Sequence, residues 1–383
     1  LLWPHENMLG LRDTSLPQGS PVSKCMKYYN VDSIVTHNNS PAYEQNFADI
    51  ALDATQWISS GFNSCIVSLG MRRVGKTKAL FGQFGVEREE YGISNCLAGT
   101  VLEQLYQRKR EASLSGKSTI TIALSTWFVQ LQQITDLIAP VHRSETGDPL
   151  DFAAVECPDL STACRILHES RARASGCLTQ EPGQPPVSER ERGHFFMRVL
   201  LHDQPVGSAN GSGTVSYMYI VDVAGMVSVD SNTFQRLPEE EKIAARANNL
   251  QLQCLFKVLR EMRTLSTAAQ QNPLFPAETA LTAVPAAAST TAAHRRTSPH
   301  PAAATTAGAS IMKMTSARDS KLTTILAPII QGNVKTSLLL FLQDGASLAS
   351  ETHNLLNALN DVTDILSACL RVKVSVGLSL FLL

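Results

Sequence analysis

The sequence lacks the features that mark secreted and membrane proteins. It has no run of about 20 apolar residues, the length that a membrane-spanning helix requires. Residues 1–20 show no basic start followed by an apolar block, so we expect no secretory leader there. The apolar run at 372–383 is too short to cross a bilayer as a helix, and its alternation is typical of a strand. These absences predict a cytosolic protein with no membrane partner.

An excess of charge is also lacking, because 33 Lys and Arg residues oppose 34 Asp and Glu residues. With a net charge of −1, no global field attracts nucleic acid, and any site for a polyanion must be local. The eight cysteines form no C-x-x-C pair and have no histidines at metal-ligand spacing. This scatter predicts buried, reduced thiols of an intracellular protein.

What the chain does contain is an alternation of strand and helix patterns. Strand patterns cover 65–69, 194–203, 216–225 and 337–342, and residues 118–138 read as a strand followed by an amphipathic segment. Helix patterns cover 47–58, 78–81, 160–173, 239–262, 322–330 and 351–370. Strands alternating with helices predict an α/β fold with a central mixed β-sheet flanked by helices on both faces.

Two segments differ from this pattern. Residues 1–24 are polar and contain Pro and Gly, and we predict that they are poorly ordered. Residues 266–310 are dominated by Ala, Thr, Ser and Pro, and cannot bury enough apolar surface to offset the entropy of ordering. We therefore predict one domain over 25–371, interrupted by a disordered insertion at 266–310 and followed by the apolar segment 372–383.

The stretch GMRRVGKT fits the phosphate-loop pattern G-x-x-x-x-G-K-[ST]. In such a loop, backbone N–H groups surround phosphate oxygens, Lys76 reaches the β- and γ-phosphates, and the Thr77 hydroxyl binds Mg²⁺. Chance alone produces a match in roughly one chain of this length in a hundred. The strand before the loop and the helix after it favour a nucleotide site over a coincidental loop. The predicted nucleotide-binding residues are Gly70, Met71, Arg72, Arg73, Val74, Gly75, Lys76 and Thr77.

Two arginines stand in the middle of this loop, where small residues are usual. A bulky residue with a left-handed backbone costs about 1–2 kcal/mol. Arg72 and Arg73 either make extra phosphate contacts or project into solvent, and we favour solvent exposure.

The order of the motifs resembles a kinesin motor domain. Residues 61–66 (GFNSCI) are similar to the family's G-[YF]-N-x-[TC]-[IV] run, Asp222–Gly225 resembles its D-L-A-G, and Arg318–Thr323 reproduces R-D-S-K-L-T. Further agreement, over about residues 28–370, is found at Asn249, Leu252, Leu326, Gly332, Asn333, Lys335, Thr336, Glu351 and Thr352. The resemblance implies a phosphate-loop NTPase fold of the kinesin type, ATP and Mg²⁺ as cofactors, microtubules (tubulin) as partner, and a place on the cytoskeleton in the cytoplasm.

The resemblance also implies roles for individual residues. Asp222 and Thr77 would organise Mg²⁺, Gly225 would sense the γ-phosphate, and Arg192 would act in catalysis. Outside the resemblance, Asp222 reads as a carboxylate capping the turn after a strand. His194 reads as an ordinary half-buried strand histidine. Arg318 and Lys321 are either solvated charges at a helix start or contacts to the acidic microtubule, and the resemblance favours the contacts.

Besides the middle of the phosphate loop, where the family's Q-T-G-S becomes Met71–Val74, the chain departs from the family pattern in three places. The family's S-S-R-S-H becomes Arg190–His194, which keeps only the arginine and the histidine. The glutamate that ends D-L-A-G-S-E is replaced by Val227, so the partner of Arg192 is missing. No R-x-R-P motif is found near the amino terminus. Each lost ~1.4 kcal/mol of transition-state stabilisation slows hydrolysis tenfold.

Three functions are compatible with these residues. The first is a microtubule motor that binds ATP and couples its hydrolysis to movement. The second is a pseudo-motor that binds microtubules without turnover, which the lost serines of S-S-R-S-H favour. The third is an unrelated phosphate-loop enzyme such as a small-molecule kinase, against which the R-D-S-K-L-T run argues. Stimulation of ATP turnover by microtubules separates the first from the second.

Overall fold

A computed structural model describes residues 2–5, 8–12, 26–30, 41–82, 96–139, 152–175, 193–206, 213–229, 231–271, 316–331 and 334–342, and positions 352, 355 and 356. Its strands are β1 (Leu2–His5), β2 (Met8–Arg12), β3 (Met26–Asn30), β4 (Asn63–Gly70), β5 (Ser118–Gln130), β6 (Gln133–Asp136), β7 (Val155–Glu156), β8 (His194–Pro205), β9 (Thr214–Asp222) and β10 (Val334–Phe341). Its α-helices are α1 (Pro41–Ser59), α2 (Lys76–Phe81), α3 (Leu97–Ser115), α4 (Leu160–Ser175), α5 (Asn232–Gln235), α6 (Glu239–Gln271) and α7 (Lys321–Gln331).

A mixed sheet forms the centre of the described structure. Its strand order is β10-β4-β9-β8-β5-β6, and β7 pairs with β5. The β10–β4 and β4–β9 pairs are parallel, whereas β8 is antiparallel to both β9 and β5. Strands β1, β2 and β3 form a separate antiparallel sheet. The predicted fold, a mixed sheet flanked by helices, is confirmed.

The parallel pair β4–β9 determines where the candidate site lies. Ser68 stands opposite Asp222 in the register of the two strands. Because parallel strands end at the same edge of a sheet, the loops that follow Gly70 and Asp222 emerge side by side. The phosphate loop and the Asp222–Gly225 loop are therefore neighbours.

Alternating strand residues face two separate cores. Ile66 and Ile220 pack with α1, α3 and α4, whereas Val67 and Val221 pack with α6 and α7 on the other face. Successive side chains of a strand point to opposite faces, so a fully buried strand reads as a continuous apolar run. This explains why 65–67 of β4 and 217–221 of β9 show no alternation of apolar and polar residues.

Three segments refine or differ from the sequence-based expectations. The amphipathic part of 118–138 is a second strand, because Leu131 adopts a positive φ of 55° and the chain turns back as β6, whose residues alternate between exposed and buried. α6 continues to Gln271, so the first residues of the expected insertion are helical. Residues 1–24, expected to be poorly ordered, contain β1 and β2, whose backbone groups pair with each other and with β3.

Other expectations fall largely outside the described residues. These are the remainder of the insertion, the apolar segment 372–383 and most of the helix predicted over 351–370, of which Thr352, Leu355 and Leu356 are helical and buried. Four of the five cysteines that the structure describes are buried, and none of the five is in a disulfide bond. Among the helices described above, none is long and apolar enough to cross a membrane.

Candidate nucleotide site

The phosphate loop runs from the end of β4 at Gly70 to the start of α2 at Lys76. Gly75 has φ 85°, a left-handed backbone that glycine adopts without steric cost. Arg73 also has a positive φ of 62° and its side chain is exposed. The expected strain at an arginine is therefore present at Arg73, and the expected solvent exposure of that side chain is confirmed.

Lys76 is buried within its own loop. Its side chain is 1 % exposed, and its Nζ donates a hydrogen bond of 2.6 Å to the carbonyl oxygen of Met71. A buried ammonium needs polar partners because desolvation is costly. The loop carbonyl satisfies part of this need, and a phosphate oxygen would satisfy it with an opposite charge.

A cluster of oxygen atoms lies beside the loop. The Thr77 hydroxyl donates to Asp222 Oδ2, and the Ser68 hydroxyl donates to Asp222 Oδ1 at 2.9 Å. Asp222 is 7 % exposed and lies at the end of β9. Mg²⁺ prefers oxygen ligands and is usually held by one or two carboxylates together with phosphate oxygens. A hydroxyl and a carboxylate in contact next to a phosphate loop fit that ion.

The oxygen cluster is too small to hold a metal ion by itself. Across the described ranges, no three His, Cys, Asp or Glu side chains lie close enough together to bind one. Any Mg²⁺ at Thr77 and Asp222 would therefore need phosphate oxygens or water to complete its coordination.

His194 supports the loop that follows Asp222. It is completely buried, and its Nδ1 accepts a hydrogen bond of 3.0 Å from the backbone N–H of Ala224. Burial, and then the nearby charge of Lys76, lower the pKa of His194 to about 3, so the ring is neutral with its proton on Nε2. His194 is a strand residue as expected, at the start of β8, but it is completely rather than half buried, and its ring serves as an acceptor inside the site.

The Asp222–Gly225 loop packs directly against the phosphate loop. A Cβ atom at Gly225 would lie 2.4 Å from the Cα of Arg72, closer than real Cβ contacts. Met226 pairs with the phosphate loop as a short extension of the sheet: its N–H donates to Gly70 at 3.0 Å, and its carbonyl accepts from the N–H of Arg72 at 3.1 Å. Only glycine permits this backbone approach.

Arg72 points neither to solvent nor into the loop. Its Nη2 lies 2.8 Å from Oε2 of Glu241 in the first turn of α6, and the two side chains are 11 % and 9 % exposed. The favoured interpretation of Arg72 as solvent-exposed is therefore wrong. Packing of α6 against the loop brings the carboxylate within reach.

The residue that replaces the family's glutamate is part of an apolar cluster. Val227 is buried against Phe234, Leu237 and Ala245. Its backbone is held by Asn249 of α6, which donates to the Val227 carbonyl at 2.6 Å and accepts from the Val227 N–H at 3.2 Å. The apolar contacts of Val227 and the two hydrogen bonds of Asn249 thus hold this loop against α6.

The R-D-S-K-L-T run begins α7. Ser320 and Thr323 bond reciprocally, each hydroxyl accepting from the other residue's N–H at 3.1 Å, which forms a capping box. Asp319 pairs with Lys257 of α6 at 2.8 Å. Arg318 is exposed and Lys321 is half-buried. The two predicted microtubule contacts thus lie on one turn, next to α6.

The structure brings together Gly70–Thr77, Asp222 and Gly225, as the motifs predict. Arg192 lies outside the described residues. Ser68, Glu241 and the acceptor role of His194 were missed. Glu241 carried one usable signal, the acidic first turn of a predicted helix, but nothing in the order of residues indicated its partner.

Comparisons with known proteins agree with this geometry. The sequence model described as "Kinesin motor domain" matches residues 19–272, which is more than half of the chain. The kinesin-like protein KIN-14O of Arabidopsis thaliana is 26% identical over 212 residues, which are 53% of this chain and 17% of that protein. The chain thus spans less than a fifth of that curated relative.

Solved structures give the same fold. The motor domain of the kinesin-related protein Kar3 from Saccharomyces cerevisiae superimposes with a TM-score of 0.59 at 15% identity, covering 94% of both chains. The motor domain of the Kar3-like kinesin from Ashbya gossypii gives 0.57 at 15% identity, covering 93% of this chain and 89% of that one. Identities this low support the fold alone. Through the sequence match over 19–272, the chain belongs to the kinesin motor domain family.

Proposed function

We propose that this chain binds ATP with Mg²⁺ at Gly70–Thr77 and binds microtubules through the surface around Arg318. The observation that carries the proposal is the contact between the Thr77 hydroxyl and the Asp222 carboxylate, beside the buried ammonium of Lys76. Asp222 ends β9, and Lys76 and Thr77 begin the helix that follows the loop after β4, so all three lie where two parallel strands end, which is where α/β sheets bind ligands.

Each residue would have a separate task. Lys76 would exchange the Met71 carbonyl for phosphate oxygens, and Thr77 and Asp222 would hold Mg²⁺. The ion would neutralise charge on the phosphates. His194 would keep the Asp222–Gly225 loop in place through its bond to Ala224.

A basic surface supports the microtubule partner. Arg246, Lys257 and Arg260 are exposed on the outward face of α6, and Lys257 reaches the turn that holds Arg318. Because the chain's net charge is −1, such a local group of cations is what attraction to an acidic polymer requires. The part of the insertion that follows α6, after Gln271, lies outside the described residues.

A second candidate is a microtubule-binding pseudo-motor without turnover. It is favoured by the position of Val227 in an apolar cluster, where the family places a charged glutamate. Loss of that ion pair and of the serines removes groups that position water and charge during phosphoryl transfer. We therefore expect slow hydrolysis even where nucleotide binds.

Nucleotide affinity tests the proposed site. Lys76→Ala should weaken ATP binding at least tenfold, because the ammonium would no longer meet the phosphates. The control is Lys78→Ala, two positions later and exposed. Calorimetry with and without Mg²⁺ measures the affinities, and equal values for Lys76→Ala and wild type would refute the site. Steady-state turnover with and without microtubules then distinguishes the motor from the pseudo-motor.

A further inference from the structure

We propose that Arg72 and Glu241 form a positioning ion pair, which couples the phosphate loop to α6 and, through α6, to the turn that holds Arg318. The inference rests on the proposed function, because the loop is the proposed nucleotide site and the turn is the proposed microtubule contact. The pair joins residues 169 positions apart in the chain.

The geometry of the pair makes it a strong link. The guanidinium nitrogen and the carboxylate oxygen are 2.8 Å apart, and both side chains are about nine-tenths buried. Separating a buried pair leaves charges without compensation, which costs far more than separating an exposed pair. A displacement of Arg72 therefore displaces Glu241 as well.

The link is attached to the part of the loop that ligand binding must rearrange. The carbonyl of Met71 and the N–H of Arg72 belong to one planar peptide unit. Lys76 binds that carbonyl at 2.6 Å, and Met226 accepts from that N–H at 3.1 Å. When Lys76 turns to a phosphate, the peptide loses one of its two hydrogen bonds and is held less firmly. A small displacement of Arg72 then acts on Glu241 through the ion pair.

α6 carries the displacement to the turn that holds Arg318. Glu241 and Lys257 are 16 residues apart, or about 24 Å along a helix. At that distance Lys257 pairs with Asp319 at 2.8 Å, and Glu261 accepts from the N–H of Ser316 at 3.3 Å. Ion pairs and a charged hydrogen bond thus connect two distant points of one helix, one to the phosphate loop and one to the turn that holds Arg318.

A small cavity lies beside the pair. It has a volume of about 10 Å³, roughly the space of one water molecule, and is lined by Arg72 and Gly225 on the loop side and by Glu241, Ala244 and Asn248 on the α6 side. Asn248 is 2 % exposed, and its Oδ1 has no hydrogen-bond partner among the described residues. Asn248 thus places a further acceptor on α6 beside the pair.

Hydrogen exchange of the nucleotide-free chain tests the link without any ligand. Wild type is compared with Glu241→Gln, Arg72→Gln and the control Glu240→Gln, which removes one charge at an exposed neighbour. The pair variants should exchange faster both at 239–245 and at the distant segment 316–331, by about fivefold or more. The control should match wild type. Unchanged exchange at 316–331 in both pair variants would overturn the proposal.

Binding measurements test the coupling itself. In wild type, ADP with Mg²⁺ should change microtubule affinity by a factor within about 5 to 150, the usual range for coupled sites. Glu241→Gln should reduce this factor to about twofold or less, and the swapped pair Arg72→Glu with Glu241→Arg should restore it. A factor in Glu241→Gln equal to that of Glu240→Gln contradicts the link. If wild type binds no nucleotide, the proposed function fails. The hydrogen-exchange experiment still decides whether the ion pair links the phosphate loop to 316–331, because it uses no ligand.

Discussion

Gly225 shows how a single missing side chain shapes the site. Its backbone lies against the backbone of Arg72 and Met71, where a Cβ would come within 2.4 Å of one and 2.8 Å of the other. Both neighbours are main-chain atoms held in the sheet extension at Met226. Neither can yield as a flexible side chain can.

We expect Gly225→Ala to push the two loops apart. Overpacking of this kind typically costs about 1–3 kcal/mol, and the displaced Asp222 should weaken nucleotide binding at least tenfold. The control is Gly116→Ala, where φ is 61° but nothing lies within 4 Å of the added Cβ. It should cost stability without changing nucleotide affinity. Urea unfolding measures the stability and calorimetry measures the nucleotide affinity. Equal affinities in the two variants would argue against the close approach of Gly225 to the phosphate loop.

His194 should make stability depend on pH. Its pKa is about 3 in the folded protein against 6.5 ordinarily, so the unfolded chain binds the extra proton first as pH falls. The stability contribution is complete above pH 6.5 and is lost as pH falls towards 3, with about 2 kcal/mol lost by pH 5. His194→Gln keeps an acceptor for Ala224. Between pH 8 and pH 5, the unfolding free energy measured with urea should therefore fall by that amount less in the variant than in wild type. Equal falls in the two proteins would contradict a buried neutral ring.

At the level of secondary structure, the R-D-S-K-L-T run has a local explanation as well as a functional one. Ser320 and Thr323 close the first turn of α7 with reciprocal bonds, and both side chains are buried. The run thus encodes the start of a helix, and the charged residues around it are presented at that start.

Removing the cap should destabilise the protein measurably. Ser320→Ala should lower the unfolding free energy by about 1 kcal/mol, the usual contribution of an N-cap hydroxyl. Ser60→Ala, at an exposed hydroxyl after α1, should change it by less than about 0.5 kcal/mol. Because the box is reciprocal, the double variant with Thr323→Ala should cost less than the sum of the single ones. Strict additivity would indicate that the two bonds act independently.

For the molecule as a whole, balanced charge means that the proposed attraction to microtubules would be a property of one face. The helices α1, α3 and α4 cover one side of the sheet, and α6 and α7 cover the other. The exposed arginine Arg318 lies on the α6–α7 side, whereas Arg110 is exposed on α3.

Arg318→Ala should therefore weaken microtubule binding by about two- to fivefold, the effect of one exposed charge, and should reduce the dependence of affinity on salt. Arg110→Ala removes the same charge from the opposite side and should leave both unchanged. Cosedimentation across a range of salt concentrations measures this. A similar loss for both arginines would mean that only net charge matters.

Much of the fold could be predicted from the sequence, because apolar periodicity and motif spacing depend on neighbours along the chain. The patterns predicted β4, β8, β9, α4 and α7 within a few residues. They missed the β5–β6 turn, since a positive φ at Leu131 has no signature in an ordinary leucine. In the site they indicated Lys76, Thr77 and Asp222.

The sequence by itself determined the local structural features: the phosphate-loop spacing, the glycines and the cap of α7. Only the tertiary structure decided that Lys76 binds Met71, that Arg72 binds Glu241 and that His194 is a buried acceptor. The physical reason is that these local features depend on residues a few positions apart in the chain. The choice of partner for a buried charge depends instead on which distant elements the sheet and its two cores bring within about 3 Å.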